Sequence, residues 1–243
     1  MFESLRSHPF AVNAFFNHSL VLTYALPVED ILPLIPAPLE PDLFHGKWGF
    51  VAAAFVQTSA LRPKGFPVWM GNDFLLAGYR VFVRYRNLAG HRLRGLYILA
   101  SQTDSARMQR MGNFFTRYSY TTDALSFTRT DQLLKVQSGK TGLSVIAGHA
   151  DAEPALPAGS PFADWKEARR FAGPMPFTFS VINKSTVVVV EGVRSNWTPR
   201  PVSITADRIP FLDNSAFRNR RLANAFVVED IPYSWKKGVV EKW

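Results

Sequence analysis

Cysteine is absent from this chain of 243 residues, which excludes thiol catalysis, iron–sulfur clusters, disulfide frameworks and cysteine-based zinc sites. Histidine is scarce: His8, His18, His45, His91 and His149 stand singly, without a neighbour at ligand-pair spacing, so no metal site is expected. Long apolar runs are missing too, since Phe50 to Val56 and Val187 to Val190 fall far short of the ~20 residues that span a bilayer. Met1 to Phe16 holds Glu3, Arg6, His8 and Asn13 where a secretory signal needs an apolar core. A cytoplasmic protein without membrane contact is therefore expected. Neither the dinucleotide fingerprint nor the hydrolase nucleophile elbow occurs, and Gly139-Lys140-Thr141 has Leu134 where a P-loop needs glycine. No cofactor is expected.

What the chain does have is apolar bulk. It is 47% hydrophobic, 14% aromatic and 19% charged, with twenty Phe, a globular composition. Surface scaling for 27.3 kDa leaves about 11,000 Å² exposed of roughly 40,000 Å² in the open chain. The core needs no staple, and one domain spanning 1–243 is expected. The net charge is +9, and arginines outnumber lysines 19 to 9, which favours forked recognition of carboxylate or phosphate.

Periodicity points to strands. Leu20, Leu22, Tyr24 and Leu26 alternate with smaller residues, and further strands are expected at Trp48 to Thr58, Phe74 to Arg86, Leu93 to Gln102, Tyr118 to Thr128, Leu143 to Gly148, Phe177 to Ile182, Thr186 to Val193, Pro201 to Ala206 and Ala223 to Val228. Asn87 to Gly90 supplies a hairpin turn. Helices are expected over Ala106 to Phe115, capped by Asp104 or Ser105, and over Phe162 to Phe171, with Ser160 as cap, Pro161 in the first turn and Gly173 beyond the end. Asp151 to Gly159 reads as an Ala/Pro-rich loop, and Lys236-Lys237 as a solvated tail. Regular strand–helix alternation is lacking. The fold class is therefore α+β, mainly antiparallel β, curled or barrel-like, with two or three peripheral helices.

The segment Ile31 to Glu40, ILPLIPAPLE, lies between two strands and resembles the signature of the acetoacetate decarboxylase-like superfamily. Tyr79 to Val83, Gly95 to Leu99 and Tyr118-Ser119-Tyr120 with Ala124 are similar to its bacterial branch, the domain-of-unknown-function family 2071. Trp197-Thr198 and Ile231-Pro232-Tyr233 suit the superfamily's C-terminal strands, so the likeness runs from Asn17 to Trp235. It implies a closed, cone-like β barrel around a small-molecule pocket. In the decarboxylase branch a lysine forms a Schiff base with a β-keto acid, and a neighbouring lysine lowers its pKa. The resemblance puts Tyr120 and Thr121 at those two positions, where neither can form an imine.

Covalent decarboxylation is thus not expected. The candidate ligand-binding residues are Arg80, Tyr118, Asn113 and Gln57, with Tyr120 as the candidate catalytic residue. Arg can fork to a carboxylate and a Tyr hydroxyl can donate to a carbonyl or enolate oxygen. The expected function is binding of a small carboxylate or carbonyl compound. A noncovalent lyase or isomerase using Tyr120 and Arg80 is one alternative. Nucleic-acid binding through the basic surface is another, disfavoured because no recognised module accompanies the charge. A homo-oligomer is left open.

Overall fold

The computed structural model describes residues 5–148 and 153–242; His149 and the first two residues of the Ala/Pro-rich loop, Asp151 and Ala152, lie outside them. Among the described residues fifteen strands are formed: β1 (Val12–Pro27), β2 (Glu40–Pro41), β3 (Trp48–Pro63), β4 (Asn72–Arg86), β5 (Arg92–Thr103), β6 (Tyr120–Thr122), β7 (Leu125–Arg129), β8 (Leu133–Ser138), β9 (Ser144–Gly148), β10 (Phe177–Asn183), β11 (Thr186–Arg194), β12 (Arg200–Pro201), β13 (Ser203–Arg208), β14 (Arg221–Trp235) and β15 (Val239–Lys242). Among the described residues three α-helices accompany them: α1 (Val28–Ile31), α2 (Ala106–Phe115) and α3 (Trp165–Ala172). None is long and apolar enough to cross a membrane.

Seven long strands close into a ring in the order β14-β1-β3-β4-β5-β10-β11, and β11 returns to β14 through Gly192–Trp235, Val193–Ser234 and Arg194–Tyr233. All ring pairings are antiparallel except β5 with β10. A second sheet, β13-β9-β8-β7, lies over one face of the ring. There Leu20, Leu22 and Tyr24 of β1, Val51, Ala53 and Phe55 of β3, and Tyr79, Val81 and Val83 of β4 pack with Leu134, Val136, Val145 and Ala147. The alternate residues Ser19, Val21, Ala52, Ala54, Val56, Leu76, Arg80 and Phe82 turn to the opposite face and line a cavity. Because both faces of β3 are covered, Phe50 to Val56 is apolar without a break.

The helices close the cavity face at two places. Ser105 caps α2 by accepting from the Met108 amide at 3.1 Å, as its position beside an apolar-periodic run predicts. The second helix begins later than expected, and its cap is not Ser160. Asp164 accepts from the Glu167 amide at 2.7 Å while the Glu167 carboxylate accepts from the Ala163 amide at 2.7 Å, an acidic version of the capping box. Ser160 instead donates to the Ala223 carbonyl at 2.8 Å. Two other boundaries differ from expectation: Tyr118 to Thr128 divides between β6 in the ring sheet and β7 in the small sheet, and Lys236-Lys237 leads into β15, which pairs with β11.

Candidate functional site

Every strand of the ring contributes to one cavity of about 210 Å³, whose wall is completed by Met108, Met111, Gly112 and Phe115 of α2 and by Ala172 to Met175 at the end of α3. Its size falls between the ~150 Å³ that holds a benzene and the ~300 Å³ at which drug-sized pockets begin. Most of the lining is apolar. Among the described residues that line it there is no Asp, Glu or Lys, but there are three arginines, Arg62, Arg80 and Arg194.

Two of those arginines are committed to backbone. Arg62 donates to the carbonyls of Phe66 at 3.0 Å and Ala60 at 2.8 Å. Arg194 donates to the Met175 carbonyl at 3.2 Å and lies over the Trp197 ring at 5.0 Å. Arg80 has neither a hydrogen bond nor an ion pair with any described residue, and its Nε is sealed from solvent without a partner. Small residues create its space: Ala52 and Ala54 stand opposite Arg80 and Gly78 across the β3–β4 ladder. A Cβ on Gly78 would lie 3.1 Å from the Arg80 Nη2, so the guanidinium turns back along β4 to the level of Gly78. Burial pushes the Arg80 pKa down, the expected cost of holding a cation away from water.

Three tyrosines surround this cation. Tyr118, Tyr120 and Tyr233 all line the cavity, and all three interact electrostatically with Arg80. Burial pushes the Tyr118 hydroxyl up, and lifts Tyr120 to about 12, with Arg80 pulling each partly back. Both are therefore neutral phenols at physiological pH, able to donate. Gly112 makes room for the Tyr120 ring, since a Cβ there would lie 2.4 Å from its Cδ2. Asn113 fixes the same residue by its backbone: the Tyr120 amide donates to Oδ1 at 2.7 Å and Nδ2 donates to the Tyr120 carbonyl at 2.8 Å.

The structure thus brings Arg80, Tyr118 and Tyr120 together in one cavity. Asn113 holds the Tyr120 backbone and is not among the lining residues, and Gln57 is outside the lining as well, between Val56 and Thr58, which both line it. Of the strand's other cations, Arg84 meets the buried Asp42 at 2.6 Å, with Arg94 on the second oxygen at 2.6 Å, and Arg86 is exposed. The lining residues that were not among the sequence candidates include His8, Asn72, Trp197 and Tyr233. His8 Nδ1, Asn72 Nδ2 and Trp197 Nε1 are sealed without partners. Burial also pulls the His8 pKa below its ordinary value. Besides the family likeness at Trp197 and Tyr233, a sequence signal that points to this region is the small-residue set, Ala52 and Ala54 with Gly78, Gly112 and Gly192, the last of which clears the Tyr233 hydroxyl.

A family model for DUF2071, described as an uncharacterized conserved protein, matches residues 14–230. The chain belongs to the DUF2071 family. Among curated proteins nothing matches it. Solved structures do share the fold of this DUF2071 chain. An acetoacetate decarboxylase-like enzyme from Sphingomonas wittichii RW1 matches with a TM-score of 0.60 at 12% identity, covering 96% of this chain and 93% of that one. The acetoacetate decarboxylase of Legionella pneumophila subsp. pneumophila str. Philadelphia 1 gives 0.59 at 13%, covering 96% and 87%. The enduracididine biosynthesis enzyme MppR, complexed with the condensation product of pyruvate and imidazole 4-carboxaldehyde, gives 0.54 at 9%, also covering 96% and 87%. At such identities the likeness establishes an acetoacetate decarboxylase-like fold for the DUF2071 chain, and its chemistry has to be argued from its own cavity.

Proposed function

We propose that this protein binds a small carboxylate or carbonyl compound in the ring cavity and does so without a covalent link to lysine. The observation that carries the reading is Arg80, half-buried with its Nε sealed and with no acceptor among the described residues, in a cavity that no described acidic residue lines. An uncompensated buried cation is costly, and a ligand carboxylate would supply both the charge and the acceptors it lacks. The hydroxyls of Tyr118, Tyr120 and Tyr233 are placed to donate to a neighbouring carbonyl oxygen. MppR, on the same fold, holds a product derived from pyruvate, in keeping with this ligand class.

Among the described residues no lysine lines the cavity, which supports a route without a Schiff base. A noncovalent lyase or isomerase is the second reading. It is favoured by Tyr120, a phenol that lines the cavity beside Arg80 and can donate a hydrogen bond to a developing enolate oxygen. Calorimetry of the purified protein against acetate, pyruvate, acetoacetate and butyrate tests binding, and borohydride trapping in the presence of acetoacetate tests the covalent route. Saturable binding with no reduced adduct is the expected result. A lysine adduct would overturn the noncovalent reading, and no binding of any acid would overturn the carboxylate assignment.

A further inference from the structure

On β4 the two polar residues that line the cavity, Asn72 and Arg80, stand at separate levels. Asn72, Phe74, Leu76, Gly78, Arg80 and Phe82 fall on one face of that strand by alternation, and all but Gly78 line the cavity. The Arg80 guanidinium lies at the level of Gly78. Asn72 is six residues further along, roughly 20 Å away at about 3.3 Å per residue. The wall between these two ends is mainly apolar, made of Phe74 and Leu76 with Val56 on β3 and Met108 on α2; the rings of Tyr118 and Tyr120 pack in the same cluster, and Thr58 stands opposite Phe74. The Asn72 end is nearer solvent, since Met108 packs against Phe74 and Met111, one turn on, is an exposed lining residue. Phe82, beyond Arg80, is buried.

We propose that the ligand is a monocarboxylic acid with an extended apolar body, its carboxylate on Arg80 and its body, an alkyl chain of about six to nine carbons or an aryl group, lying along Phe74 and Leu76 toward Asn72. This deepens the carboxylate reading above and rests on it. A two- or three-carbon acid would satisfy Arg80 yet leave the Phe74–Leu76 stretch empty. That stretch is what a longer body fills, and each buried methylene should tighten binding about fourfold.

The test is calorimetry of the wild-type protein against straight-chain acids from acetate to decanoate, 3-phenylpropionate, and the alcohols of matching length. The expected result is affinity rising about fourfold per methylene to a plateau near octanoate, with each acid at least tenfold tighter than its alcohol. Short acids binding as tightly as octanoate would overturn the extended-body proposal and leave the carboxylate site standing. Failure of every acid to bind would overturn both. Alcohols matching the acids at every length would keep the apolar channel but remove the carboxylate from Arg80, which overturns the proposal as stated. A Val56→Phe variant, opposite Leu76 across the β3–β4 ladder, checks location: octanoate binding weakened while acetate binding is kept supports the assignment, and unchanged octanoate binding in a folded protein places the body elsewhere and overturns it.

Discussion

At the scale of single residues, Arg80 and Gly112 make opposite wagers with stability. Arg80 is held where its charge has no partner among the described residues and its Nε is sealed, so removing it should relieve the fold while harming the ligand site. Arg80→Gln is expected to weaken carboxylate binding by at least about 1.5 kcal/mol, with the melting temperature unchanged or raised. Calorimetry and a thermal melt on one preparation check both; unchanged affinity with a lowered melting temperature would make Arg80 structural. For Gly112 two effects compete. Alanine gains about 1 kcal/mol of helix propensity, but its Cβ would sit 2.4 Å from the Tyr120 ring, and overpacking of that kind costs about 1–3 kcal/mol. The clash should win, so Gly112→Ala lowers stability to urea, and much less so when Tyr120 is also Leu. Equal losses in both backgrounds would refute the contact. Arg80, Tyr118 and Tyr120 were legible as candidates because strand alternation and family likeness are local features. His8 and Asn72 were not, because what makes them notable is sealing by distant segments: the His8 amide reaches the Phe115 carbonyl and its own carbonyl accepts from Gly238.

At the scale of elements, helices with local caps are readable and elements fixed by distant partners are not. Ser105 and the run from Ala106 to Phe115 gave α2 its observed bounds. For α3, Ser160-Pro161 was the more familiar start signal, yet the Asp164–Glu167 box lies closer to the helix and wins because both of its hydrogen bonds are made within four residues. Asp164→Ala should cost about 1 kcal/mol and speed hydrogen exchange at the Glu167 amide. Ser160→Ala should leave that amide protected. The opposite pattern would restore Ser160 as the cap. The division of Tyr118 to Thr128 has another origin. Asp123 is buried and its carboxylate accepts from Ser138 Oγ at 2.5 Å and Thr141 Oγ1 at 2.9 Å. These partners lie beyond the next strand, so alternation continues through a point where the chain changes sheets.

At the scale of the whole molecule, the ring is joined to its surroundings through buried tyrosines on both faces. Tyr24 donates to Asp207 of the small sheet at 2.7 Å, and Tyr79 stacks on Phe211 at 4.2 Å, while Tyr118 and Tyr120 face the cavity. Burial raises the pKa of all four. In the unfolded chain a tyrosine ionises near pH ~10, so above that pH the unfolded state loses protons that the folded state keeps. Because the folded values lie higher, the stability they confer is complete below about pH 10 and falls as pH rises through them. Alkaline unfolding should therefore set in above about pH 10, with tyrosinate absorbance growing in step with the loss of circular dichroism. Tyr120→Phe removes one of the four groups and should move the midpoint to higher pH. Complete ionisation near pH ~10 with the dichroism intact would show that the tyrosines are not sealed by the fold.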